Sequence, residues 1–405
     1  MSSIFAPVEL APRDPILGLT EQFNADTRSQ KVNLGVGVYG DEKGRLPLLQ
    51  AVQQAEARLL ATPRARGYQP IDGAPAYNKA AQTLLLGADH PAVTEGRAVT
   101  VQTLGGTGAL KIGADFLRQW LPQARVAISN PSWENHRALF ERAGFGVDNY
   151  PYYDAATNGL DFEGMIGHLE TLPAGTIVVL HACCHNPTGI DPSAEQWQRI
   201  AAAVQARGLL PFIDMAYQGF GDGLQEDAAT VRLFAGLGIN VVISSSFSKS
   251  FSLYGVRVGA LTLITADTDE SARVLSQLKR TIRTNYSNPP THGGAIVSTV
   301  LNTPELAQLW EEELAQMRNR IRDMRSQLVG KLGTLGVDRD FSFILSQRGM
   351  FSYSGLSPEQ VARLCSEFGI YAVGTGRICV SALNPGNIEY VAESIAQVYK
   401  TPQAA

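Results

Sequence analysis

Lys249 stands in Ser244-Ser-Ser-Phe-Ser-Lys-Ser-Phe-Ser252, among small hydroxyl residues and with no neighbouring charge. An amine in such a setting can attack a carbonyl and form an imine; a solvated surface lysine is the plainer reading. Arg257 follows eight residues later. It and Ser246 could both reach a phosphate, and Arg257 could equally be an ordinary ion-pair partner. Gly106-Thr107-Gly108 at a helix start offers an anion cradle, although many helices begin this way. Asp214 ends the apolar run Leu209-Leu-Pro-Phe-Ile213. A carboxylate there either caps a helix or faces a cationic ring nitrogen. Tyr217 could donate to a phenolic oxygen. Asn186, before Pro187-Thr-Gly189 at the end of another strand, has the plain reading of a turn asparagine. A covalent lysine, a carboxylate and a phosphate cradle are together the demands of a phosphorylated pyridine-aldehyde cofactor.

These groups need strand ends and helix starts to hold them. Arg125 to Ser129, Thr176 to His181, Leu210 to Asp214 and Val241 to Ser244 read as strands. Between them, Gly105 to about Trp120 and Gln196 to Ala206 read as helices, and a further helix covers Leu48 to Leu60. Alternation of this kind predicts a doubly wound, mostly parallel sheet, whose ligands collect at the carboxyl ends of the strands. The first forty residues, with Pro7, Pro12 and Pro15, read as loop apart from a short strand around Val32 to Val38. Near Pro304 the pattern changes. Leu314, Met317, Ile321, Met324 and Leu328 form one apolar stripe on a long helix. Strand-like pieces (Ser342 to Leu345, Gly349 to Tyr353, Ile378 to Val380) then mix with helices over Pro358 to Phe368 and Ile388 to Val398. This predicts a smaller α+β domain. The expected division is 1–44 for an N-terminal arm and part of the small domain, 45–315 for the large domain, and 316–405 for the small domain.

Composition removes several function classes. A net charge of −4 without a lysine or arginine run argues against nucleic acid or a membrane surface as partner. Four cysteines, two adjacent and two scattered, give no disulfide framework, and neither a signal peptide nor a bilayer-spanning stretch is read, so a cytoplasmic protein is expected. Gly35-Val-Gly37-Val-Tyr-Gly40 fits the dinucleotide pattern, but a turn (Asp41 to Pro47) follows where a helix is required. His181-Ala-Cys183-Cys184-His185 looks like a metal cluster. It lacks a second ligand pair at recognisable spacing, so no metal is expected.

The order of the motifs carries more than any one of them. Asp14-Pro-Ile-Leu-Gly-Leu19, Asn33-Leu-Gly-Val-Gly-Val-Tyr39, Gly105-Gly-Thr-Gly-Ala-Leu110 and Asn130-Pro-Ser-Trp-Glu-Asn-His136 come first. Cys183-Cys-His-Asn-Pro-Thr-Gly189, Asp214-Met-Ala-Tyr-Gln-Gly-Phe220, Ser246-Phe-Ser-Lys249, Asn285-Tyr-Ser-Asn-Pro-Pro290 and Gly376-Arg377 follow. Over nearly its whole length the chain resembles class I aminotransferases of pyridoxal-phosphate (PLP) fold type I, in the aspartate and aromatic amino-acid branch.

The resemblance implies an α/β fold and a cofactor, pyridoxal 5′-phosphate, held by Lys249 as Schiff-base lysine. It implies Asp214 as the pyridinium partner with His136 behind it, Asn186 and Tyr217 on the phenolic oxygen, and Trp133 stacked on the ring. Gly106, Thr107, Ser246 and Arg257 would form the phosphate cup. Tyr68 would reach the phosphate of a neighbouring subunit, implying a homodimer with shared active sites. Substrate would meet Gly37, Trp133, Asn186, Arg377 at its α-carboxylate and Arg283 at a side-chain carboxylate. Trp133 as a core residue and Tyr68 as a surface residue are the plainer alternatives. The activity implied is ping-pong amino transfer from aromatic amino acids or aspartate to 2-oxoglutarate. Strict aspartate specificity is the runner-up, and a PLP-dependent lyase of the same fold is a further rival.

Overall fold

The computed structural model describes residues 3–14, 16–63, 65 and 67–400. Pro15, which belongs to one of the motifs above, lies outside the described residues, as do the ends of the expected first and last domains.

A seven-stranded sheet forms the centre. Its strands are β1 (Ala98–Leu104), β2 (Arg125–Asn130), β3 (Gly146–Pro151), β4 (Ile177–His181), β5 (Leu210–Met215), β6 (Val241–Ser246) and β7 (Val258–Ile264). They lie in the order β1-β7-β6-β5-β4-β2-β3. All neighbours are parallel except those of β7, which runs antiparallel to β1 and β6. Strands β4, β6 and β7 are buried along their whole length. That matches their near-continuous apolar or small sequences and a sheet covered on both faces. Helix α1 (Gly105–Trp120) lies on one face, with Leu110, Ile112, Gly113, Phe116 and Leu117 buried. A Cβ on Gly113 would sit 2.6 Å from Phe212 Cζ, so this glycine lets the helix approach β5.

Helix α2 (Thr268–Asn285) precedes the long helix α3 (Pro304–Thr334). At 31 residues α3 spans about 46 Å. The stripe read from sequence is its buried face: Leu314, Met317, Ile321, Met324 and Leu328 are all in the core. Trp310 on α3 donates from Nε1 to the Ser250 carbonyl at 2.7 Å and stacks on Phe251 at 4.5 Å. Arg325, further along, reaches a second small sheet formed by β8 (Phe351–Tyr353) and β9 (Arg377–Cys379). One stiff rod therefore touches both the loop that carries Lys249 and the strand pair that carries Arg377.

Three expectations need correction. Residues 17–25 form a helix where loop was expected. Asp14 Oδ1 accepts the Ile16 and Leu17 N–H groups and starts it, a local cap that the flanking prolines obscured. The strand expected over Val32 to Val38 shrinks to Val32–Asn33, paired with Ile370–Tyr371. Ser342 to Leu345 is not a strand: Phe343–Ser346 is one helical turn, begun where Asp340 accepts the Ser342 N–H at 2.7 Å. Three apolar residues in a row are too few for periodicity to separate helix from strand.

Candidate active site

The carboxyl ends of β4, β5 and β6 lie side by side. In register, His181 pairs with Asp214, and Asp214 pairs with Ser244. Asp214 Oδ1 accepts from Ser244 Oγ at 2.7 Å, and Oδ2 lies 2.9 Å from His136 Nε2. Burial works to raise this carboxyl's pKa; the His136 and Ser244 contacts and the neighbouring imidazoles outweigh it and hold it below the usual range. A deeply buried group thus remains an anion.

The imidazole protons follow from the contacts. The Asn186 backbone N–H donates to His181 Nδ1 at 3.0 Å. Burial, and then the nearby His185 and His136, keep His181 neutral by pushing its pKa well down. Its proton is therefore on Nε2, 3.4 Å from His136 Nδ1. Ser132 Oγ shares that Nδ1 at 3.0 Å. With Nδ1 accepting, His136 carries its proton on Nε2 and donates it to Asp214.

Lys249 follows β6 at the floor of a cavity of about 260 Å³. Its Nζ lies 4.9 Å from the centre of the Tyr217 ring. Burial lowers its pKa to about 8; the Asp214 charge opposes this and Arg257 adds to it. At neutral pH a usable fraction is the free amine, which is the nucleophilic and basic form. Burial raises the Tyr217 phenol, so that it stays protonated and can donate.

The amino end of α1 faces the same cavity, with Gly106 and Thr107 in its wall. Gly105 has φ +68, and a Cβ there would press into the Arg257 guanidinium at 2.7–3.2 Å. Arg257 itself has φ +60 and donates from Nη1 to Ser248 Oγ at 3.2 Å and to the Tyr254 carbonyl at 3.1 Å. A left-handed non-glycine residue is uncommon, and here it turns a cation toward the free N–H groups of a helix start. Ser246 lies beside them: a Cβ on Gly106 would be 3.1 Å from Ser246 Cβ. This is a cradle for an oxyanion.

Arg377, which is buried, also lines the cavity. Its Nη1 donates to Asn186 Oδ1 at 3.0 Å and its Nη2 to the Gly35 carbonyl at 2.7 Å. Its Nε is buried and has no partner. Trp133 closes the cavity, edge-on to His136 at 5.3 Å between ring centres. Gly37, Asp214, Tyr217, Asn186, Ser246 and Lys249 also line it, so twelve of the fourteen sequence-derived residues meet in one place, with His136 one layer behind Asp214. Tyr68 and Arg283 do not. Tyr68 is 94% exposed. Arg283 is exposed on α2, hydrogen-bonded to Ser287, and edges a separate shallow hollow with Ile71, Lys279 and Arg280.

Sequence reasoning missed Ser244, Ile16, Leu110, Tyr254 and Phe351 as site residues, and Ser132 and His181 as supports. Only the strand register brings Ser244 opposite Asp214, and register was not readable from one chain. The two histidines of the His181–His185 run are hydrogen-bonded within the fold. His185 bonds Ser129 and Thr188 through its two nitrogens, at 2.9 and 2.8 Å. Cys183 and Cys184 do meet Asp227. Yet that carboxylate already accepts the N–H groups of Gly219, Gly221 and Asp222.

A buried amine, a buried anion, an oxyanion cradle and an arginine with a spare donor define an α/β enzyme for amine–carbonyl exchange. Comparison with known proteins gives the family. The profile described as "Aminotransferase class I and II" matches residues 29–395. An "Aspartate aminotransferase" of Pseudomonas aeruginosa is 62% identical over 98% of this chain and all of its own length. An "Aromatic-amino-acid aminotransferase" of Escherichia coli is 50% identical over the same shares. The crystal structure of an aromatic-amino-acid aminotransferase from Burkholderia pseudomallei, covalently bound to pyridoxal phosphate, superposes with a TM-score of 0.96. It is 64% identical, over 98% of this chain and all of that one. The chain belongs to the class I and II aminotransferase family.

Proposed function

We propose that the cavity holds pyridoxal 5′-phosphate on Lys249, and that the enzyme exchanges amino groups between aromatic or dicarboxylic amino acids and 2-oxoglutarate in a ping-pong cycle. The single observation that carries this reading is the buried Lys249 amine, titrating near 8, in one cavity with a buried anion and an oxyanion cradle. The fit to the cofactor rests on its parts. The start of α1 with Gly106, Thr107, Ser246 and Arg257 suits a phosphate. Asp214, kept ionised, suits a protonated ring nitrogen, and the Tyr217 hydroxyl and Asn186 suit a phenolic oxygen. Trp133 suits a stacked ring. When bound, the cofactor supplies an electron sink for the pair left as the substrate's α-hydrogen departs.

The chain's own residues do the rest. Arg377 binds the α-carboxylate with the donors its two bonds leave over, the Nε–H and the second hydrogens on its Nη atoms. Lys249 Nζ takes the proton from Cα. Asp214 holds negative charge in a dry site, where it acts most strongly. Ile16, Leu110, Trp133 and Tyr254 give the cavity an apolar side that accepts an aromatic ring.

We further propose a homodimer with shared sites. Tyr68 and Arg283 are solvent-facing in their own chain and free to serve the phosphate and side-chain carboxylate of a second copy. Ile4, Phe5, Val8 and Leu10 leave an exposed apolar arm that a second copy would cover. Among the described residues no helix is long and apolar enough to cross a membrane. The cysteines are free, which suits a reducing cytoplasm. Strict aspartate specificity stays the second reading, since the Pseudomonas relative carries that name alone.

Glutamate added without an oxo acid should bleach the yellow protein and release a stoichiometric amount of 2-oxoglutarate. Comparison of kcat/KM for tyrosine and aspartate then separates the two specificities. A colourless protein after reconstitution would remove the reading.

A further inference from the structure

We infer that Phe351 is a positioning residue for the carboxylate-binding arginine, its ring forming the surface on which the Arg377 guanidinium rests. The inference builds on the proposed role of Arg377. No sequence motif marked Phe351 as part of the site, but three contacts converge on it. The Arg377 Cζ lies 4.3 Å from the centre of its ring. The ring meets Tyr217 edge-on at 6.1 Å. Its Cζ comes so close to Gly37 that a Cβ there would lie 2.6 Å away.

The last contact explains a glycine. Gly37 has no left-handed backbone to account for its lack of a side chain. Space for the Phe351 ring does account for it. The same closeness makes tyrosine a poor replacement, because a hydroxyl on Cζ would run into Gly37.

The ring is held from behind. Arg325 is buried, and its Nη2 donates to the carbonyls of Gly349 and Phe351 at 2.6 and 2.7 Å, while Nε reaches Ser352 Oγ at 3.2 Å. None of its described partners is a carboxylate. A buried guanidinium costs free energy unless its donors are used, and this one spends them on the backbone at Phe351. Arg377 is thus fixed at two nitrogens by Asn186 and Gly35 and across its face by Phe351. Nε is left free.

Arg377 would grip the α-carboxylate equally in ground and transition states. Loosening it should therefore raise KM and spare kcat. In Phe351→Leu, KM for both the amino acid and the oxo acid should rise about tenfold, the share a desolvated cation–π contact carries. The kcat should stay within about threefold, and the pH midpoint of the cofactor's absorbance should not move. Phe351→Met, whose flexible apolar chain can refill the gap without offering a ring face, should behave the same way and guards against a folding defect. Gly37→Ala should be damaging in the wild type and much less so in Phe351→Leu, because the ring it strikes is gone. A wild type that releases no 2-oxoglutarate from glutamate would sink both the transaminase reading and this inference. A competent wild type whose KM values are unmoved in both Phe351 variants would sink this inference alone.

Discussion

Replacing Asp214 by asparagine keeps the shape of the side chain and removes its charge. The carboxylate accepts two hydrogen bonds, from Ser244 Oγ at 2.7 Å and from His136 Nε2 at 2.9 Å. An amide can keep only one acceptor. His136 must go on donating, because its Nδ1 faces the donor of His181. The amide oxygen therefore stays with His136, and the Ser244 hydroxyl rotates to accept from the new NH₂. That exchange should cost about 1 kcal/mol of stability. What disappears is a unit charge opposite the ring nitrogen. Two unit charges about 4 Å apart are worth roughly 4 kcal/mol at an effective dielectric near 20. Felt in the transition state, that is on the order of a thousandfold in rate. Asp214→Asn should thus lose about a thousandfold in the single-turnover rate with glutamate, measured by stopped-flow absorbance. It should still fold, and borohydride should still attach the cofactor to Lys249. A variant that turned over within about tenfold of the wild type would refute the assignment of Asp214 as the charge behind the ring.

Borohydride reduction of the wild type followed by peptide mapping should label Lys249 alone, and a label on any other lysine overturns the site. Lys249→Arg should bind cofactor without the covalent link and lose transamination, read by absorbance and by oxo-acid release. In cofactor-free protein, Lys249 titrates near 8 when folded and near 10.5 when unfolded. The unfolded state then binds more protons between those values, so stability should rise across that window, by about 3 kcal/mol for this fully buried amine. Lys249→Met should flatten that rise in urea titrations at pH 8 and pH 10.5. Neither Lys249→Ala nor Arg283→Ala should transaminate dicarboxylates well alone. Mixed and reassorted, they should recover about a quarter of wild-type activity, because each hybrid dimer has one intact site. No recovery on mixing would place Arg283 in its own chain's site or outside any site.

The sequence was most readable where one local rule decided the outcome. Buried β-branched runs made β4 and β6, the glycines before Ala109 opened α1 at the right residue, and the apolar stripe of α3 lay where its spacing put it. It was least readable where contacts between distant segments decide. Gly37 looked like part of a dinucleotide turn, yet its form follows from a ring more than three hundred residues later. Ser244 seemed one more serine until β6 lay in register with β5. Arg283 carries the same residue type as Arg377, but only folding separates them, one buried in the cavity and the other on the surface of α2. Chemistry-bearing residues could be named from motif order. Motif order also set Tyr68 apart from its own chain's cavity, but it did not do so for Arg283.

The two ends of the cavity are joined by a single hydrogen-bonded line, and this bears on how the site would behave as a unit. Asp214 receives from His136, which faces the Nε2 donor of His181, whose Nδ1 receives from the Asn186 backbone. The Asn186 side chain then accepts from Arg377. A substrate carboxylate held by Arg377 therefore rests on the same residue, Asn186, whose backbone fixes the tautomer of His181. Loss of the His181 ring should therefore disturb both ends, weakening carboxylate binding and the charge behind the ring together. Loss of the Phe351 ring should disturb only the carboxylate end. A His181→Leu variant with altered KM but an unchanged pH midpoint of the bound cofactor would show the line to be broken between His181 and His136, where its longest contact, 3.4 Å, lies.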